Sequence, residues 1–154
     1  MTITTCSLDD FNQIFADIAD FWGHDRTLYL HHPMYVREFG DTAYVIKDGD
    51  TVAAYVFGFL SQTRPAAYVK FVAVRPAYRR RGLARSLYDR FIAYAKERGC
   101  TEIRAITTPT NADSIAFHRA LGMELLGEPN EDGIPVIKDY AGPGRDRAVF
   151  RKPI

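Results

Sequence analysis

Arg79, Arg80 and Arg81 stand directly before Gly82-Leu83-Ala84, and behind them the apolar period turns helical. Leu83, Ala84, Leu87, Tyr88, Phe91, Ile92 and Ala95 recur on one side, with Arg85, Asp89, Arg90, Lys96 and Glu97 on the other, which is the pattern of an amphipathic helix. The first N–H groups of a helix have no intrahelical partner and carry partial positive charge. Gly82 and Ala84 leave the backbone open to close approach, and three guanidinium groups add full charges. Together they form an anion site suited to a pyrophosphate. A solvated basic turn is the plain alternative. Three arginines between a buried strand and this helix favour phosphate binding.

The elements that must position this loop follow from the flanking sequence. Ala67 to Val74 is rich in β-branched and aromatic residues and reads as a strand. Pro76 stops it, because proline cannot donate to a ladder. Gly99 ends the helix. Ahead of them, Ser7 is a good N-cap with Asp9 and Asp10 behind it. Phe11, Ile14, Phe15, Ile18 and Trp22 then keep helical spacing as far as Gly23. His24 to Phe39 is irregular or a second short helix opened by His32-Pro33. Thr42–Lys47 and Thr51–Leu60 read as strands around an Asp48-Gly49-Asp50 turn, with Gly58 at a candidate bulge. They form a meander with the strand Ala67–Val74. Beyond the helix, Glu102–Thr107 alternates as a strand, expected to run parallel to Ala67–Val74 through a right-handed crossover. Ligands in such sheets sit outside the carboxyl ends of the strands, which brings Thr107 and Thr108 beside the basic loop. A helix follows from its Asn111 cap to Gly122. Glu124–Leu126, Ile134–Tyr140 and Arg147–Lys152 complete the strands, the last two joined through Gly142-Pro143-Gly144.

Arg79-x-x-Gly82-x-Ala84 resembles the [Arg/Gln]-x-x-Gly-x-[Gly/Ala] signature of the GNAT superfamily of N-acetyltransferases. Asn111-x-x-Ser114-x-x-Phe117-His118-x-x-x-Gly122-Met123 resembles the second signature of that family. There Ser114 replaces an alanine, Met123 a phenylalanine and His118 a tyrosine. The resemblance covers nearly the whole chain as one domain, residues 1–154. It implies an α/β (α+β) fold with a mixed, mostly antiparallel sheet, splayed between two central parallel strands and flanked by about four helices. It also implies that acetyl-CoA is the acyl donor, held by Arg79, Arg80, Arg81, Gly82, Leu83 and Ala84. The backbone of Val72, Ala73 and Val74 would receive the pantetheine arm and supply an oxyanion donor, and Asn111, Ser114 and Phe117 would line the same cofactor site.

Acetyl transfer to an amine needs an anchored donor, a neutral amine, an oxyanion donor and a leaving thiolate. A free alkylamine, with a pKa near ~10, is neutral in only about one part in a thousand at pH 7, so its proton must be taken. Many relatives use a glutamate on the strand before the loop, where this chain has Tyr68 and Lys70. The base is left among His31, His32, Asp25 and Glu38 by chemical type. The thiolate, with a pKa of roughly 8.5, is a fair leaving group. His118 is the candidate acid, since a neutral imidazole N–H still donates. It reads equally as a helix histidine that only lines the cleft. Trp22, Tyr29, His31, His32 and Tyr35 are the candidate acceptor contacts. His31-His32 lacks the spacing and companions of a metal site, so none is expected.

The chain has 154 residues, 47% apolar and 25% charged, with a net charge of +1, ordinary for a globular domain with a real core. No global field draws it to nucleic acid or to a membrane. No apolar run has the length of a span or the form of a signal peptide. Two cysteines fit a reducing, cytoplasmic setting. The reading is an N-acetyltransferase acting by direct attack on a primary amine of a small molecule or peptide. A polycationic acceptor is disfavoured, because no acidic cluster calls for one. The alternatives are a non-catalytic acyl-CoA sensor and a nucleic-acid binder using Arg75 to Arg85. Relatives are often dimers, and the last two strands are candidates for pairing across subunits.

Overall fold

The sheet is built around β4, Ala66–Val74, in a computed structural model that describes residues 1–154. β2 (Ala43–Asp48) and β3 (Thr51–Leu60) precede it as an antiparallel meander. An N-terminal strand, β1 (Thr2–Thr5), adds to β2 and was not evident from its short polar sequence. After β4 the chain crosses through α4 (Leu83–Glu97) to β5 (Glu102–Thr107), which lies parallel to β4. α5 (Ala112–Ala120) and the short β6 (Glu124–Leu125) follow. A two-stranded ribbon, β7 (Glu128–Pro129) with β8 (Pro135–Val136), leads to β9 (Ala148–Pro153). β9 inserts between β5 and β6, so the seven-stranded order is β1-β2-β3-β4-β5-β9-β6. β4–β5 is the single parallel pair.

Five helices flank the sheet, where about four were expected. The first apolar stripe is broken into α1 (Leu8–Ala16) and α2 (Ile18–Trp22) at Asp17, whose φ of −105° and ψ of 19° leave the helical region. α3 (Met34–Arg37) begins after Pro33 as the sequence predicts. Ser7 caps α1 in a reciprocal capping box with Asp10, satisfying two backbone donors at once. The strand expected over 134–140 contracts to Pro135–Val136 and one bridge, Ile137 to Arg147. The segment 138–144 turns instead, with Asp139 at a φ of 56°.

Each sheet face carries its own core. Ala67 and Val69 of β4 pack with Leu87, Tyr88 and Phe91 of α4 and Ile115 of α5. Phe71 and Ala73, also of β4, pack on the opposite face with Phe11, Ile14, Ile18, Phe21 and Tyr35. Residues of one parity would share a face in a regular strand. The switch comes from a β-bulge: Phe57 pairs with Phe71 but Gly58 pairs with Val69, leaving Lys70 as the extra residue. Gly58 is required there, because a Cβ would lie 2.3 Å from the Tyr68 carbonyl oxygen and 2.8 Å from the Phe91 ring.

Candidate active site

The parallel pairing of β4 with β5 ends at Val69 and Ala105. β4 continues to Val74 and β5 to Thr107, each still paired on its outer side, so a wedge-shaped gap opens between them. Arg75 N–H bonds Ala53 O of β3 at 2.9 Å. Strand alternation therefore turns the N–H and C=O groups of Val72 and Val74 away from β3 and into the gap. A buried strand edge normally finds partners; Val74 O finds one in Arg79, and the rest of this edge is presented to the cleft.

The gap leads to the arginine loop. Arg80 (φ 63°) and Gly82 (φ 77°) both adopt left-handed backbone, the alternation that turns consecutive N–H groups toward one concavity. None of the N–H groups from Arg80 through Arg85 donates to a protein acceptor, and the first helical bond is Ser86 N–H to Gly82 O. Leu83 and Ala84 are half-buried at the start of α4, whereas Arg80, Arg81 and Gly82 are exposed. The arginines divide their work. Arg81 lies over the Tyr78 ring at 5.5 Å. Arg79 corrects the reading of three free charges: its Nε donates to Val74 O at 3.1 Å and its Nη2 to Phe21 O at 3.0 Å. Those carbonyls, turned out at a strand end and a helix end, claim its guanidinium. Arg75 is spent likewise, with Asp17 at 2.7 Å and Asp20 at 2.9 Å.

The second motif forms α5. Asn111 caps it, its side-chain oxygen accepting from Ser114 N–H at 3.1 Å. Phe117 is half-buried with its ring 6.0 Å from that of Tyr88. His118 is turned into the core and is 4% exposed. Its Nδ1–H donates to Ser114 O at 2.7 Å, with Ser114 Oγ at 3.2 Å. Because a carbonyl only accepts, Nε2 is the bare nitrogen and receives the Tyr88 hydroxyl at 2.7 Å. The ring stacks on Phe150 at 4.5 Å. Burial holds its pKa below the usual histidine value. The expected thiolate acid thus has both nitrogens engaged and almost no surface open to solvent.

The acceptor candidates are not gathered into one pocket. His31 is 3% exposed. It donates from Nδ1 to Thr27 O and accepts the Tyr55 hydroxyl at Nε2, both at 2.8 Å, while Trp22 Nε1–H donates to that hydroxyl. Burial lowers the His31 pKa too, so it is no ready base. Tyr35 is buried against Phe57. His32 is exposed and accepts Met34 N–H at 3.1 Å, and Tyr29 is 81% exposed. Their types gave no indication of which would point inward.

Tyr68 and Lys70, which the sequence offers only in place of a strand glutamate, lie at the inner end of the gap, Tyr68 on the α1–α3 face. Tyr68 stacks on Phe59 at 5.2 Å, and Tyr140, Arg104 and Tyr35 are the ionisable groups around its hydroxyl. Burial pushes that hydroxyl up, so it stays protonated. Lys70, put between the two faces by the bulge, is half-buried with its Nζ 5.2 Å from the Phe71 ring centre. A bulge that re-aims a side chain beside a cleft was the available signal.

This fold and this cleft are those of an acetyltransferase. The chain belongs to the acetyltransferase (GNAT) family, whose model matches residues 8–123. An aminoglycoside N(6')-acetyltransferase type 1 of Acinetobacter genomosp. 13 is 32% identical over 106 residues, 69% of this chain and 73% of the relative. Its namesake in Acinetobacter baumannii is 32% identical over 91 residues, 59% of this chain and 62% of the relative. Among solved structures, Ard1 of Thermoplasma volcanium superposes with a TM-score of 0.76 at 18% identity, covering 99% of this chain and 97% of that one. PaiA N-acetyltransferase of Thermoplasma acidophilum, solved with coenzyme A, gives 0.72 at 12% identity over 99% and 98%. The protein is an N-acetyltransferase with acetyl-CoA as its donor, and the binding-only alternative gains no support from these relatives. No helix is long and apolar enough to cross a membrane.

Proposed function

We propose that the chain moves the acetyl group of acetyl-CoA to a primary amine of a small molecule or peptide by direct attack in a ternary complex. The observation that carries the site assignment is the run of unpaired amides from Arg80 to Arg85 at the open end of the β4–β5 gap. Those amides, with the Arg80 and Arg81 charges and the positive end of α4, would hold the pyrophosphate. The backbone of Val72 and Val74 would take the pantetheine arm as an added strand, with Val72 N–H as the oxyanion donor beside the bulge. Asn111, Ser114 and Phe117 would border the same gap from α5. The amine would enter from the α1–α3 face, over Tyr68 and Lys70. A thiolate of roughly cysteine-like pKa, about 8.5, leaves without a strong acid, which agrees with the closed position of His118. The aminoglycosides named for the curated relatives fall within the amine class but lack an acidic counterpart on this floor.

Calorimetric titration with acetyl-CoA at two salt concentrations tests the donor site. Micromolar binding by the wild type, weakened at least about tenfold in Arg81→Glu, is the expected outcome, since one charge is removed and the opposite one introduced beside a phosphate. Equal affinity for the two proteins would move the donor away from this loop.

A further inference from the structure

The cleft floor carries positive charge that nothing in the protein balances. Lys70 is half-buried, yet its ammonium has no hydrogen bond and no ion pair. Arg147 is the charged group that acts on it; it directly precedes Ala148, which pairs with Thr107 where the β4–β5 gap stands open. Arg147 is half-buried as well, and its hydrogen bond goes only to the backbone oxygen of Asp146 at 2.8 Å. A desolvated cation ordinarily finds a carboxylate or changes its protonation. The Phe71 ring offsets part of the cost. Burial and Arg147 together push the lysine's pKa down.

No carboxylate is paired with either cation. Glu102 accepts from Arg104 at 3.0 Å and Arg151 at 2.8 Å. Within the 138–147 turn, Asp146 accepts Asp139 N–H at 2.9 Å and Asp139 accepts Gly144 N–H at 2.8 Å. The loop thus folds its carboxylates onto its own amides and leaves Arg147 without an ion pair. The anions of the donor are provided for at Arg80–Arg85, beyond the far end of β4, so they do not explain this pair.

We propose that the acceptor bears a carboxylate close to its reacting amine, and that Lys70 and Arg147 hold that carboxylate. This rests on the acetyl-transfer site described above and names the acceptor class for it. A carboxylate between the two side chains would complete a charge-assisted pair of hydrogen bonds. A polycation would add positive charge to a site that already holds two unpaired cations. Two kinds of amine share the required chemistry: a free amino acid, and a peptide opening on aspartate or glutamate.

The test is thiol release from acetyl-CoA with matched acceptors: free amino acids against their carboxamides, tetrapeptides opening on Asp or Glu against Asn or Gln, and kanamycin as a polycation. The expected result is a kcat/KM at least about tenfold higher for carboxylate members in one of the two series, the scale of one charge-assisted hydrogen bond. The series that shows it identifies the source. The preference should collapse in Lys70→Met and separately in Arg147→Gln, mainly through KM. Thermal unfolding of Lys70→Met should occur at or above the wild-type temperature, since an unpaired half-buried charge is removed. Equal or better use of carboxamides or kanamycin, no turnover of any carboxylate member, or a preference unchanged in both variants overturns the proposal. Acetyl-CoA binding measured in parallel separates the two failures: retained binding confines the error to the acceptor class, and lost binding removes the donor site itself.

Discussion

His31 and His118 occupy equivalent settings on opposite faces of the sheet. Each donates from Nδ1 to the carbonyl four residues back, Thr27 O or Ser114 O, and each accepts a tyrosine hydroxyl at Nε2, Tyr55 or Tyr88. Each stacks on a phenylalanine, Phe71 at 4.1 Å or Phe150 at 4.5 Å. Protonation would put a charge in an apolar setting and make each tyrosine hydroxyl accept where it now donates, leaving its own proton to find another partner. Burial lowers both pKa values from 6.5, so the unfolded chain takes up these protons first. Their stabilising contribution is complete above about pH 6.5 and is lost as pH falls through the lowered folded-state values. Glu102 behaves separately: burial would raise its pKa, but Arg104 and Arg151 outweigh that and hold it below 4.5. Unfolding temperature should therefore decline as pH falls below about 6.5, with a shallower decline in His31→Gln and His118→Gln. An unchanged slope in both would mean the rings carry no such linkage. His118→Gln should also lose stability while keeping kcat, and a kcat loss of about a hundredfold or more would restore it as a proton donor. Residue type alone marked these histidines as chemistry. What removed them was direction, fixed by helix phase and by a tyrosine opposite, and neither is visible in a lone histidine.

At the scale of elements, the most informative unit is β4 with its loop and α4. Its boundaries were legible because period, proline stop and glycine entry all agree there. The capping of α1 by Ser7 and of α5 by Asn111 was legible for the same reason. β1 was not, being four residues that draw their place from pairing with β2 rather than from an apolar pattern. The break at Asp17 was also hidden, since it depends on Arg75, far away in sequence, drawing in Asp17 and Asp20. Gly58 hinted at the bulge, but the residue displaced by it is Lys70 on the neighbouring strand. Gly58→Ala should destabilise the protein by about 2 kcal/mol or more, because a methyl 2.3 Å from the Tyr68 carbonyl meets backbone that cannot rotate aside. Thermal melts would show this directly. A neutral result would mean that β3 and β4 slide apart at little cost, and the aim of Lys70 would then be loosely held.

Over the whole molecule, the two faces of the sheet have separate cores and separate duties. One packs α4 and α5 and leads to the loop proposed for the donor, and the other packs α1, α2 and α3 and borders the face proposed for the acceptor. Two arginines from the loop fasten the sheet's end to α2 and its neighbourhood. Arg75 reaches Asp17, Asp20 and Val52 O, with its guanidinium 4.4 Å from the Phe21 ring centre. Arg79 spans from Val74 O on β4 to Phe21 O on α2. In mechanical terms these are rivets through the sheet's end. A load applied at the loop proposed for the donor would be delivered to α2, beside the proposed entrance for the acceptor. Filling the first site should slow hydrogen exchange in α2 as well as in the loop, and Arg79→Met should confine the slowing to the loop. The enzyme would then favour a sequence of arrivals, donor before acceptor, enforced by two side chains.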